Sequence, residues 1–164
     1  MKAFFLGSLL AICATTTAQA QSFDASRQLN TFTTSDLKAT LAELGATTQD
    51  RDGVPNITVK FSNGLTADAL LMACQDQDTS TNCLGTSILV TFDTPANTTP
   101  AQIRDGIDEY NYRKNFGRAY LDPEGKVSIR LYLIADGGIT MENYRRQIGL
   151  FADSAAELPD YVLN

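Results

Sequence analysis

The order of apolar patterns along this chain constrains its fold more than any other feature. Apolar and polar residues alternate at residues 56–61, and residues 65–74, 83–92, 118–122 and 126–134 are also interpreted as strands, so that a group of three is followed by a later pair. A period of two predicts strands that bury one face. No helical pattern connects the strands within either group, so we expect antiparallel pairing rather than the strand and helix alternation of a parallel sheet.

Three helical patterns surround these strands. Thr33 or Thr34 can cap the first helix, and Gly45 can end it. A capping box with proline at the first helical position, Thr99-Pro100-Ala101-Gln102, begins the second. The third helix is expected to begin after Thr140 and to stop at Pro159.

The segments between these elements are expected to be turns, including residues 47–55. The predicted order is therefore α-β-β-β-α-β-β-α. It describes an α+β fold in which helices cover an antiparallel sheet.

The N-terminal segment has the layout of a cleavable export signal. Lys2 is followed by an apolar run, and Ala18-Gln19-Ala20 is a small-residue cleavage site, so we expect removal of residues 1–20 and a mature chain that begins at Gln21 in the periplasm or outside the cell. Acylation at Cys13 is an alternative, which Ile12 disfavours because it stands where a small residue is preferred. No other segment is long and apolar enough to predict a membrane span.

The remaining chain has the length of one ordinary domain. Residues 21–33 are polar without clear period and predict a loose lead, and residues 34–164 predict a single domain. The net charge is −6, and loss of Lys2 makes it more negative. Such a balance disfavours binding to nucleic acid or anionic lipid.

Two cysteines, Cys74 and Cys83, remain after removal of Cys13. The second predicted strand ends at one and the third begins at the other, and an even count in an oxidising compartment favours a disulfide between them. The chain contains no histidine. A zinc site is therefore disfavoured, and nucleophilic catalysis with a histidine base is excluded.

Residues 107–122 carry a resemblance to a known family. The segment runs Ile-Asp-Glu-Tyr-Asn-Tyr-Arg-Lys-Asn-Phe-Gly-Arg-Ala-Tyr-Leu-Asp and resembles the signature of the YbjN family, a group described as sensory-transduction regulators. The likeness extends from about residue 37 to residue 151, with Tyr110 and Asp108 at positions where the family commonly has Trp and Asn. It implies a fold similar to type III secretion chaperones, which bind proteins and usually pair as dimers, and it implies no reaction or cofactor.

The signature contains the candidate binding residues Asn111, Arg113, Arg118 and Tyr120. The same residue types also suit a structural role, because helix ends need donors for their carbonyl groups, and this interpretation is favoured. Residues 76–82 begin like a calcium loop, but Thr81 replaces the turn glycine and Ser87 the closing glutamate, so a polar loop is favoured.

These features favour an exported, non-enzymatic protein that binds a protein partner as a chaperone-like or regulatory module. A small hydrolase or metal-dependent enzyme that uses carboxylates alone, such as Asp105, Asp108 and Glu109, is the alternative, and an envelope component without a specific ligand is a third. A homodimer through the sheet and the second helix is also expected, because the strands carry more apolar side chains than three short helices can cover.

Overall fold

A six-stranded antiparallel sheet organises the fold in a computed structural model, which describes residues 22–94 and 96–162. The predicted export segment lies outside the described residues. The elements, in chain order, are β1 Gln28–Leu29, α1 Thr34–Glu43, β2 Thr47–Asp50, β3 Ile57–Lys60, β4 Thr66–Met72, β5 Gly85–Phe92, α2 Pro100–Arg113, β6 Arg118–Leu121, β7 Val127–Ile134, β8 Ile139–Thr140 and α3 Met141–Val162.

The strands of the main sheet lie in the order β2-β3-β4-β5-β7-β6 and pair antiparallel throughout, while β1 and β8 pair separately. Residues on one face alternate with residues on the other, and the inward positions are buried: in β7 these are Val127, Ile129, Leu131 and Leu133. The predicted α+β fold with an antiparallel sheet is confirmed. Strands β1, β2 and β8 are additions to the predicted order.

All three helices pack on the inward face of this sheet. The long helix α3 buries Tyr144 and Phe151 completely, and burying a side chain of this size stabilises a fold by roughly 1.5–3 kcal/mol. The Tyr144 hydroxyl bonds to Thr86 of β5 at 2.8 Å, and its ring stacks on Phe32 at 4.4 Å. Burial raises the pKa of Tyr144, so this hydroxyl stays neutral and fixes α3 to the middle of the sheet.

The predicted helix starts are confirmed at the level of single hydrogen bonds. Thr33 and Thr99 each accept a backbone N–H at the third helical position, and that residue's side chain returns a bond to the capping residue. Gly45 follows α1 with φ of 70°, a left-handed conformation that ends a helix. The disulfide between Cys74 and Cys83 is also present as predicted.

The segment before α1 is more ordered than the predicted loose lead. Leu29 and Phe32 are buried, and Phe32 exchanges two backbone hydrogen bonds with Cys83, at 2.7 and 3.1 Å. This segment has no periodic apolar pattern, because only two isolated residues, Leu29 and Phe32, are buried in the core. Hydrophobic periodicity therefore cannot predict the structure of so short a segment.

The prediction for residues 47–55 was wrong in its first half. Thr47–Asp50 forms β2 and pairs with β3, with Thr48 opposite Val59. The strand lies at the edge of the sheet, where it pairs with one neighbour only and buries few side chains in the core. Its sequence therefore lacks the alternation that identifies inner strands.

The predicted end of α3 at Pro159 was also wrong, because the helix continues to Val162. Proline removes one helical N–H and normally ends or kinks a helix. Here the last turn is held by packing: Val162 is buried, and the Tyr161 ring meets Tyr110 edge-on at 5.5 Å. None of the described helices is both long and apolar enough to cross a bilayer.

Candidate binding face of the sheet

The outward face of the six-stranded sheet is the main uncovered surface of the strands, and we call it the open face. It consists of the strand residues that alternate with the buried ones. The helices lie on the opposite side. The exposed fractions of Tyr132 and Ile134, 55% and 60%, show that this face is in contact with solvent.

Two of the four predicted site residues lie on the open face. Arg118 and Tyr120 are outward residues of β6, and their partners across the strand pair are Arg130 and Ser128 of β7. Ala119 between them is buried on the other side. The alternation of a strand is therefore what brings Arg118 and Tyr120 together on one surface.

Arg130 is the centre of an aromatic cluster on the open face. Its guanidinium carbon lies 5.9 Å from the centre of the Tyr120 ring and 5.6 Å from that of Tyr132, within the range of cation–π attraction. Its Nη1 also donates to the Tyr132 hydroxyl at 2.7 Å, which raises the pKa of Arg130. The Nε–H of Arg130 is buried and has no hydrogen-bond partner among the described residues.

Apolar side chains continue the open face from this cluster toward Gly85. The outward residues Leu70, Met72 and Leu89 are half-buried, and Ile134 is exposed. Gly85 has no side chain of its own, and a Cβ there would lie 3.5 Å from the Met72 methyl and 3.6 Å from the end of Ile134. The two side chains therefore close over the glycine and extend the aromatic surface with an apolar one.

The charge of the open face is opposite to that of the whole chain. Its strand positions carry three basic residues, Lys60, Arg118 and Arg130, and one acidic residue, Asp68. The Asp68 carboxylate already accepts hydrogen bonds from Arg51 and Asn56, each at 2.5 Å. The exposed charge on this face is therefore positive within a chain of net charge −6.

Asn111 belongs to the helix layer and bonds to the edge of the sheet. Its side-chain amide donates to the Ala119 carbonyl at 3.0 Å and accepts the Ala119 N–H at 3.0 Å. These are the two bonds that a further strand would make to Ala119 of β6. The geometry supports the structural interpretation of this residue.

Arg113 is also separate from the open face. It lies on the exposed side of α2 and pairs with Glu109 one turn earlier, an interaction that raises the pKa of the Arg113 guanidinium. The four residues that were predicted together thus lie in two different layers. Arg130 and Tyr132 were not predicted, although the alternation of residues 126–134 places both on the outward side.

No two acidic side chains are buried together in the part of the chain described. Asp36 is the one buried acidic residue there, and it is bonded to Thr33 and paired with Arg27. Asp105 and Asp108 are exposed on α2. No group of three metal-binding side chains occurs among residues 22–94 and 96–162.

The polar loop after Cys74 uses its first carboxylate internally. Asp76 accepts the backbone N–H groups of Asp78 and Thr79 at 3.0 and 3.3 Å, and its hydrogen bonds to Thr79 lower the pKa of Asp76. This geometry is that of an Asx turn. The Asp76 carboxylate is therefore engaged within its own loop.

Comparison with known proteins agrees with this architecture. A crystal structure of YbjN from E. coli, called a putative transcription regulator, superposes with a TM-score of 0.59 at 14% sequence identity, and the match covers 74% of this chain and 84% of that one. At this identity the likeness shows the fold alone. No curated protein sequence matches the chain significantly. Residues 35–163 match the family model described as "YbjN: Putative bacterial sensory transduction regulator", and the chain therefore belongs to the YbjN family.

Proposed function

We infer that this chain is an exported, non-enzymatic regulatory protein that binds an acidic segment of a partner protein on its open face. The observation that carries the proposal is Arg130, held between Tyr120 and Tyr132 on a sheet face that no helix covers. Arginine and tyrosine are the residues most enriched where protein partners bind. The family's regulatory description fits this kind of role.

The chemistry of the face selects the class of partner. Carboxylates match the planar guanidinium groups of Arg118 and Arg130, which lie opposite each other in the β6 and β7 pair. The apolar surface beside Gly85 would take neighbouring apolar side chains. Export of the protein rests on the N-terminal sequence alone.

Site-specific photo-crosslinking tests the proposal. A crosslinking amino acid at Tyr132 should capture one acidic partner in intact cells, and the same amino acid at Tyr112 provides a matched control. Tyr112 is 85% exposed but lies on α2, in the helix layer. Capture at Tyr132 should fall at least tenfold when Arg130→Glu is added, because the partner would then meet a like charge.

Three results would count against the proposal. Equal capture at Tyr112 and Tyr132 would indicate unspecific contact. Capture that Arg130→Glu leaves unchanged would remove the electrostatic argument. No adduct at either position would favour an envelope component without a specific partner.

A further inference from the structure

The β2 edge of the sheet is open on its outer side. Strand β2 pairs with β3, and no other described strand lies beside it. Its sequence, Thr47-Thr48-Gln49-Asp50, contains neither the proline nor the lysine that often protects such edges. Helix α1 borders this edge, and between them runs a groove of about 800 Å³ lined by Phe23, Ala39, Ala42 and Thr48, among others.

The backbone groups available at this edge can be identified from the neighbouring pairing. Phe61 donates its N–H to Leu65, at 2.9 Å, on the β4 side of β3. Successive residues of an antiparallel strand bond alternately to their two neighbours, so Val59 also bonds toward β4. Thr48 lies opposite Val59, and its N–H and C=O therefore point to the free edge, as do those of Asp50.

The side of α1 above this edge has a charge pattern that is complementary to itself. Two small residues, Ala39 and Ala42, lie between Lys38 and Glu43. The Lys38 ammonium lies 2.7 Å from the carboxylate of Asp50 at the end of β2, and Glu43 precedes the start of β2 by a short connection, so the two charges lie toward opposite ends of the strand. A two-fold axis through Gln49 would bring Lys38 of each copy toward Glu43 of the other.

We propose that the chain forms a two-fold dimer in which the β2 strands of two copies pair antiparallel with Gln49 on the axis. Thr48 of each copy then faces Asp50 of the other, and the two residues exchange backbone hydrogen bonds. The small side chains Ala39 and Ala42 allow the two α1 helices to approach, and opposite charges meet on both sides of the axis. The occupant of the groove is thus a second copy of this chain.

This arrangement differs from the dimer that the sequence predicted through the sheet and the second helix. Asn111 of α2 already occupies the outward backbone groups of Ala119 at the β6 edge, so a second copy would have to displace it to pair there. The open faces would also repel each other, because both carry Arg118 and Arg130. Pairing at β2 avoids this contact, since a two-fold axis perpendicular to the sheet leaves both open faces on the same side.

The dimer would therefore present one continuous sheet of twelve strands with two Arg130 clusters on one surface. This inference stands without any assumption about what binds the open face. The net charge of each copy opposes association, but salt screens it beyond roughly 8–10 Å. The pairs formed by Lys38 and Glu43 lie well within that distance.

Charge exchange between two variants tests the interface. The full chain is expressed with its export segment, purified, and measured by sedimentation between about 1 and 100 µM in physiological salt. Wild type should have twice the mass of the single chain. Lys38→Glu and Glu43→Lys should each be monomeric alone and should form a dimer when mixed, because only the mixed pair joins opposite charges at both contacts.

Arg104→Glu and Asp105→Lys are the matched controls. They make the same charge changes on the exposed side of α2 and should leave the dimer intact. A monomeric wild type across this range would overturn the proposal, as would dimers of either interface variant as stable as wild type. Circular dichroism of each variant separates loss of the dimer from loss of the fold.

Crosslinking gives a second reading that does not depend on charge. Residues at a non-hydrogen-bonded antiparallel pair have Cα atoms about 4.5 Å apart, so Gln49→Cys should form an intermolecular disulfide across the axis. Thr58→Cys, on the next strand and opposite Gln49, is too far from its copy to do so. Equal crosslinking of the two variants would overturn the assigned register.

Discussion

Both edges of the sheet have backbone N–H and C=O groups that lack a neighbouring strand, and the two edges differ in what happens to these groups. At β6, the Asn111 side chain supplies both hydrogen bonds that a further strand would offer Ala119. At β2, the corresponding groups of Thr48 and Asp50 point outward beside a groove. Asn111 blocks strand pairing at Ala119, whereas no side chain among the described residues is shown to block it at Thr48 and Asp50, and this makes the β2 edge the informative one.

The difference also teaches how an asparagine in a signature should be interpreted. Its side-chain amide presents an N–H and a C=O side by side, and it can therefore replace the bonds of a neighbouring strand at one residue. Aspartate, alanine or leucine at the same position could not make both bonds. The need to bond both backbone groups of Ala119 can therefore explain an asparagine at position 111 without a ligand.

The largest expected effect comes from opening the closed edge. Asn111→Ala leaves the N–H and C=O of the buried Ala119 without partners and should lower the free energy of unfolding by about 2–3 kcal/mol. Chemical denaturation of monomeric protein measures this. Asn115→Ala removes the same side chain at an exposed position after α2 and should cost less than about 0.5 kcal/mol. Equal losses for the two variants would show that the Asn111 bonds contribute little.

The contact between α2 and α3 at Gly106 should also be sensitive to substitution. A methyl group at Gly106 would lie 2.2 Å from the carbonyl oxygen of Tyr161, which is too close for any real contact. Alanine favours a helix over glycine by about 1 kcal/mol, whereas overpacking against a backbone atom costs about 1–3 kcal/mol. The difference between these two contributions predicts that Gly106→Ala destabilises the fold by up to about 2 kcal/mol in thermal or chemical unfolding.

The control for this prediction is Gly53→Ala, where a Cβ meets no atom within 4 Å but φ is 74°. Strain at that φ gives a loss of about 1 kcal/mol without any clash. An increase in stability for Gly106→Ala would mean that α3 moves away from α2 at little cost.

The sequence predicted those parts of the molecule whose signals are local or periodic. The inner strands and the capping threonines were found because burial on one face and helix capping leave a pattern in neighbouring residues. The β2 edge was missed because Thr47-Thr48-Gln49-Asp50 has no apolar face to bury. Pro159 was misread because the contacts that hold the last turn of α3 come from α2, far away in sequence.

The residues of the open face were also hard to predict, because they come together from distant parts of the sequence. Arg118 and Tyr120 were chosen from a signature, but Arg130 lies twelve residues from Arg118 and becomes its neighbour only through the β6 and β7 register. The alternation of a strand predicts that Arg130 lies on the outward side, but it does not predict which residues of the neighbouring strands lie beside it. Distance in sequence, rather than a weak pattern, is what concealed the cluster.

Proline substitutions at the open edge should separate the fold from the dimer. Thr48→Pro removes an N–H that points away from β3, so the free energy of unfolding of the single chain should change by less than about 1 kcal/mol while the dimer is lost. Gln49→Pro is the matched variant, because its N–H bonds toward Thr58 of β3. It should destabilise the fold itself by about 1–2 kcal/mol. Sedimentation and denaturation together distinguish the two, and a dimer that tolerates Thr48→Pro would not pair through β2.

The smallest effect is expected from a single charge on the proposed axis. Gln49→Lys would place two lysines directly opposite each other, and like charges in such a pair are destabilising by about 0.2–1 kcal/mol. This corresponds to a dimer dissociation constant about 1.4- to fivefold higher, which sedimentation at several concentrations can resolve. Thr58→Lys adds the same charge one strand further from the axis, where its copy lies roughly 14 Å away across three strand spacings and salt screens the repulsion. The ratio of the two constants therefore reports the position of the axis. It should approach one at about 1 M salt, where the screening length falls to about 3 Å. A ratio that does not respond to salt would mean that Gln49 lies outside the contact.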